Sequence, residues 1–281
     1  MNSDKEPKSA VVTVSTILTV LAHSSAPFIS TFLLVHLSAP IAANLSGSGL
    51  ASSVMLLGRE YYQTTFGERY LLLLPFAVHV TSSVAKRVVL TLAPTPSSSS
   101  NSTIAEQKDE PTPQPPTPRI HRITSLLSVS AYTALLVFVP IHVITHRLLP
   151  ASPLLPVTGS SMSSEISTDS VGPSELDFEF VKTALHTWPW RSWVLYAGLV
   201  GCVLVHATEG ASVILARWRG RGITRGRLGL KGKKRSVLVA GAAALPVLSG
   251  LLVMSREPLL ALSSLVGRYR ATLMGSWAYR L

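Results

Sequence analysis

Charge is scarce in this sequence, and for long stretches it is absent. Between Ile123 and Thr145 there is no Lys, Arg, Asp or Glu, and about 23 residues rising ~1.5 Å each can cross a ~30 Å hydrocarbon layer. Only 14 % of the 281 residues are charged while 47 % are apolar, which argues against an ordinary soluble domain. Cysteine is nearly missing too. Cys202 stands alone, so neither an intramolecular disulfide nor a thiolate zinc cluster can form. Nucleophile elbow, phosphate loop and metalloprotease motif are all lacking, and a non-enzyme is expected. Acidic residues number 14 against 25 basic, a formal charge of +11. Nine of those basic residues lie between Arg217 and Arg235, in one Arg/Gly stretch between two apolar runs. That concentration favours membrane topology and an anionic lipid surface over nucleic acid.

What is present reads as an all-α integral membrane protein with about five transmembrane helices in two related halves and an amphipathic C-terminal helix. Residues 1–27 are a polar tail and an interfacial helix, because the apolar run at 10–22 is too short to span and Asp4 and Glu6 spoil a signal peptide. Residues 28–93 hold spans one and two, at 28–45 and 70–92, with a short loop or re-entrant piece between them. Residues 94–118 contain seven prolines with Ser and Thr and almost nothing to bury, the composition of a disordered loop. Span three occupies 119–150, an acidic loop 151–187, span four 188–217, the basic loop 218–235, span five 236–255 and the amphipathic tail 256–281. Trp188, Trp190 and Trp193 mark an interface. In span five Ala240, Gly241 and Ala244 offer a small-residue packing face.

Counting basic residues places the N-terminus and the loops after spans two and four on one side, with about 16 Lys and Arg against about nine opposite. That side is expected to be cytosolic. Lys86, Arg87, Lys231, Lys233 and Lys234 are the expected lipid-headgroup contacts.

Four spans each carry a histidine: His36, His79, His142 and His206. Paired imidazoles on neighbouring helices can clamp a haem iron. His36 and His79, both near mid-membrane by helix rise, form the stronger candidate pair for haem b, and His142 with His206 the weaker one. The plainer reading is that each ring hydrogen-bonds a hydroxyl or carbonyl of a neighbouring helix, and a proton path is a third. Glu209 follows His206 by three residues and so shares its helix face.

Pro111 with Pro113, and Pro116 with Pro118, form Pro-x-Pro pairs suited to binding in an extended, preordered conformation. Three stretches, STFLLVHLSAP at 30–40, LGREYYQ at 57–63 followed by Glu68, and PFAVHVTSSVAKR at 75–87, together carry a family resemblance. They resemble the transmembrane domain of the fungal mitochondrial outer-membrane adaptor family, the suppressors of lost ER–mitochondria contacts. That resemblance implies a five-span protein of the mitochondrial outer membrane, supporting lipid homeostasis by recruiting a bridge-like lipid-transfer protein through a Pro-x-Pro motif. In the family that motif lies in the N-terminal tail, whereas this tail has Pro7 alone. HRITS at 121–125 also resembles the His-Arg-x-Thr-Gly segment of succinate dehydrogenase cytochrome b subunits, with Ser125 in place of the glycine.

Overall fold

The computed structural model describes residues 5–93, 125–152, 171–172, 175–219 and 230–280. Among them there is no strand, and five helices are long and apolar enough to cross a membrane. The chain is an all-α integral membrane protein. In order the helices are α1 (Lys5–Tyr62), α2 (Gly67–Leu92), α3 (Leu126–Leu148), α4 (Phe178–Thr187), α5 (Pro189–Trp218), α6 (Leu230–Arg256), α7 (Ser263–Met274) and the single turn α8 (Trp277–Arg280). Widened π-helical turns at Gly67–Leu73 and Ala134–Phe138 lead into Pro75 and Pro140. A proline in a helix clashes with the carbonyl four residues back, and a wider turn moves that carbonyl away.

The helices form two compact units, one of residues 1–32 and 65–121, the other of residues 33–64 and 122–281. In the first, α1 buries a stripe of small residues, Ser15, Thr19, Ala22 and Ser25, while Val12, Ile17 and Val20 are more than half exposed. This inverts the soluble pattern. Lipid is as apolar as the interior, so small and polar side chains take the close contacts and large apolar ones face outward. His79 of α2 reaches this stripe, with its Nδ1 3.0 Å from the Ala22 carbonyl and 3.3 Å from Ser25 Oγ.

The second unit is organised by a reversal inside α1. Helical geometry fails at Ser46 and Gly47, where Gly47 takes φ +67°, and helix resumes at residue 48. Val35 and Gly58 are neighbours across the bend, as are His36 and Tyr62. The two arms therefore lie back to back rather than end to end. At ~1.5 Å per residue the 15-residue return arm covers roughly 22 Å, short of a full crossing. What the sequence shows as a loop or re-entrant piece after span one is thus a returning helix.

Against this bend packs α6. Gly250 lies so close to the Pro40 carbonyl that no Cβ fits, and Asn44 Nδ2 donates to the Pro246 carbonyl at 2.7 Å. The buried face of α6 runs through Ala240, Val247, Leu251 and Met254, joined by Ala39, Ala43 and Ala51 of α1. Of the small residues expected at this contact, Ala240 is buried, but Gly241 is exposed with open space beside it. Gly250 is the glycine that permits the approach.

Two other segments differ from expectation. The stretch expected as an acidic loop ends in α4, whose Phe180, Lys182, Thr183 and Ala184 are completely or almost completely buried. Asp177 starts this helix by accepting from the Glu179 N–H at 2.8 Å. The C-terminal segment, expected to lie on the membrane surface, docks into the protein. Tyr269 and Leu273 are fully buried against Phe180 and Ala184, whereas Leu262 and Trp277 of the same apolar series are exposed. Helix α6 also begins at Leu230, inside the stretch expected as a basic loop.

A change of Gly47 to Ala meets two penalties, a left-handed φ and contact with the Glu257 carboxylate. It is expected to cost about 1–3 kcal/mol. Gly49→Ala, with nothing near its side-chain position, should be neutral. Thermal unfolding in detergent followed by near-ultraviolet circular dichroism measures the difference between the two.

Candidate functional site

Two polar clusters lie in the second unit, one at the end where α1 reverses, the other among aromatic rings between α1, α3 and α5. At the reversal, Ser48 opens the return arm with an unsatisfied N–H, and the Glu257 carboxylate accepts from it at 3.1 and 3.2 Å. A carboxylate at a helix N-terminus also meets the positive end of the helix dipole. Lys182, fully buried, lies 2.5 Å from Glu179 Oε1 and 3.5 Å from Glu257 Oε2 and donates to Ser48 Oγ at 3.3 Å. The other oxygen of Glu179 accepts from the Leu260 and Ala261 N–H groups at 2.9 and 3.3 Å. His186 reaches the Glu257 carbonyl with its Nε2 at 2.9 Å. One buried ammonium thus ties together the α1 bend, α4, the end of α6 and the start of the tail. Burial opposes the ionisation of Glu257, but the Ser48 and Lys182 hydrogen bonds outweigh it and hold the carboxyl below its ordinary range.

A second ionic contact docks the tail. Glu175 forms a bidentate pair with Arg268, its carboxylate accepts from the Gly172 N–H at 2.9 Å, and its carbonyl accepts a hydrogen bond from the Tyr269 hydroxyl. The Arg268 hydrogen bonds and the Gly172 N–H hold the Glu175 carboxyl below its ordinary range. Burial pushes the Tyr269 phenol up, with Asp177 and Glu175 adding to the effect.

The aromatic cluster contains two of the expected histidines. The His36 and His142 rings meet edge to face at 5.9 Å, and His142 and His146, one turn apart on α3, at 4.6 Å. His36 Nδ1 lies 3.4 Å from the Tyr62 hydroxyl, and His146 Nε2 lies 3.3 Å from the Tyr196 hydroxyl. Phe180 closes on His146 edge to face at 5.4 Å. Each tyrosine hydroxyl, able to donate or accept, gives the ring at its end of the cluster a polar partner.

The four expected haem ligands are therefore distributed as follows. His36 and His142 meet in the second unit, and His79 belongs to the first, where Ala22 and Ser25 hold it. His206 lies 3.3 Å from the Leu127 carbonyl at the start of α3, 15 residues along that helix from His142 and so roughly 20 Å from it by rise. Among the described residues no set of three or more His, Cys, Asp or Glu is arranged to hold a metal ion. Lys86 and Arg87 are half-buried near the end of α2, and Lys234 is exposed on α6. The side chains of Lys231 and Lys233, and Pro111, Pro113, Pro116 and Pro118, lie outside the described residues.

Sequence reasoning missed His146, Tyr62 and Tyr196, and it missed Lys182 with its two carboxylates. His142 and His146 are spaced four apart, the one signal that could have joined them as a helix-face pair. Comparison with known proteins finds no matching family model, no matching curated protein and no matching solved structure.

The lowered Glu175 carboxyl makes tail docking acid-sensitive. A carboxylate held below its unfolded value of ~4.3 contributes stability that is complete above that value and lost as pH falls through the folded one. Amide hydrogen exchange in α7 should accelerate as pH drops through this window, after correction for intrinsic rates. Glu175→Gln should raise exchange in α7 at neutral pH and flatten the pH dependence.

Proposed function

We propose that this protein is a membrane-embedded adaptor of the mitochondrial outer membrane, with its N-terminus cytosolic. It supports lipid homeostasis at organelle contacts and is not an enzyme. Its five spans anchor two polar segments that recruit a bridge-like lipid-transfer protein and touch anionic lipid. The observation that carries this reading is how helix ends group in the second unit. His206 of α5 meets Leu127 at the start of α3, and Thr208 Oγ1 of α5 donates to the Ser236 carbonyl near the start of α6 at 3.3 Å. The late part of α5 therefore lies beside the beginnings of α3 and α6. The chain before α3, with the proline pairs, and the chain between α5 and α6, with the Arg/Gly stretch, both depart from that end. The opposite end holds the α1 bend, α4 and the tail around Lys182.

An adaptor needs a rigid base and a recognition segment that leaves it. The Lys182 network supplies the rigidity, and the resemblance of 30–40, 57–63 and 75–87 to the outer-membrane adaptors supplies the identity of the partner. Extended proline segments bind grooves through ring contacts at low ordering cost, and changing proline to alanine removes both advantages.

Replacing Pro111, Pro113, Pro116 and Pro118 together by alanine is expected to abolish recruitment of the lipid-transfer partner to the organelle, with insertion and abundance unchanged. Imaging of a fluorescent partner against a protease-protection control reads both. Recruitment at the wild-type level would remove these prolines from the reading and move the search to Pro7.

A further inference from the structure

Among the rings of the second unit lies a small cavity bounded by His142, Thr145 and His146 of α3, Tyr196 of α5 and Tyr279 of α8. It has room for about one water molecule. Thr145 is the anomaly on its wall. Only 1 % of Thr145 is exposed, and its hydroxyl has no hydrogen-bond partner among the described residues. Buried threonines on the other helices return their hydroxyl to the carbonyl four residues earlier, as Thr19 and Thr272 do at 2.6 and 2.9 Å. A buried hydroxyl left without a hydrogen bond is costly, so a cavity beside it that can supply the missing bond has a reason to be filled.

We propose that this cavity is the binding site of one ordered water, held by Thr145 Oγ1 together with the His142 and His146 rings. Internal waters make about three hydrogen bonds to buried polar groups, and cavities that stay empty are apolar. Phe138, Ile141 and Leu195 complete this wall, which also offers a hydroxyl, two imidazoles and two phenols. The water completes a line of exchangeable groups. On one side His142 faces His36, which meets Tyr62; on the other His146 meets Tyr196, whose hydroxyl shares hydrogen bonding with Tyr279, itself 3.4 Å from Ser192 Oγ. The water thus hydrogen-bonds Thr145, His142 and His146 together, where the two rings otherwise only touch.

The test uses full-length protein labelled with ¹⁵N-histidine in phosphatidylcholine bilayers. Solid-state magnetic resonance transfers polarisation from water to the ring nitrogens. Strong short-time transfer is expected at His142 and His146, retained in Thr145→Ser and reduced at least twofold in Thr145→Val. The His79 and His206 resonances, in separate carbonyl contacts, should not shift in either variant, which reports that the fold persists. Should the wild-type His142 and His146 rings receive no more polarisation than those of Thr145→Val, the cavity is dry and the proposal is overturned. Should Thr145→Val disturb His79 and His206, the wild type and Thr145→Ser decide alone, and silence at both rings there overturns it equally.

Discussion

The second unit depends on an unusual exchange at the α1 bend. Reversing a helix exposes N–H groups at the start of the new arm, and apolar surroundings offer nothing to satisfy them. Here the Glu257 carboxylate takes that role, and Lys182 neutralises it while also meeting Glu179, whose second oxygen caps the start of the tail. Removing one partner from a buried pair leaves a charge uncompensated, at a cost of about 3–5 kcal/mol. The bend, α4 and the end of α6 therefore stand or fall together. Gly47 belongs to the same constraint, because only a residue without a Cβ fits between the left-handed turn and the carboxylate.

From this anchor the packing of the rest follows. The bend sets the first arm of α1 against α6, where Gly250 and the alanines bring the backbones together. It sets the return arm against the region before α4, where Arg59 donates to the Leu176 carbonyl at 3.0 Å and Ser52 Oγ accepts from the Phe178 N–H at 3.2 Å. It also carries Tyr62 back to His36, so the aromatic cluster inherits its geometry from the turn. The histidines find polar contacts with hydroxyls and carbonyls, and the His36, His142 and His146 rings touch one another.

The five spanning helices were legible because lipid imposes a length and forbids charge, and both leave marks in a single sequence. Of the tryptophans expected at the interface, Trp190 is strongly exposed at the start of α5, whereas Trp188 and Trp193 are half-buried against the core. The bend was half legible. Ser46 and Gly47 signal a break, but a break does not say whether the next segment runs on or turns back, which depends on Glu257 two hundred residues later. The burial of α4 was hidden because Glu175, Asp177 and Glu179 look like solvated charge, yet these half-buried carboxylates pair with Lys182 and Arg268 and cap backbone N–H groups. His146 was passed over beside Arg147, where a histidine reads as part of a basic flank. The tail displayed an apolar series, but its period fits either a membrane surface or a protein groove, and only the contact of Tyr269 with Glu175 and Phe180 selects the groove.

The reversal is the central claim, and a distance measures it directly. Leu34 and Leu57 are both about three-quarters exposed, one on each arm, and so accept labels without disturbing the interior. With Cys202 replaced, spin labels at these two positions can be read by pulsed electron resonance in bilayers. An uninterrupted helix would separate the sites by roughly 35 Å. Packed arms lie ~8–10 Å apart between axes, and with the label arms the account predicts a distribution centred below about 25 Å. A distribution centred near 35 Å would show that α1 runs straight through Gly47, and the ion-pair anchor with everything built upon it would be contradicted.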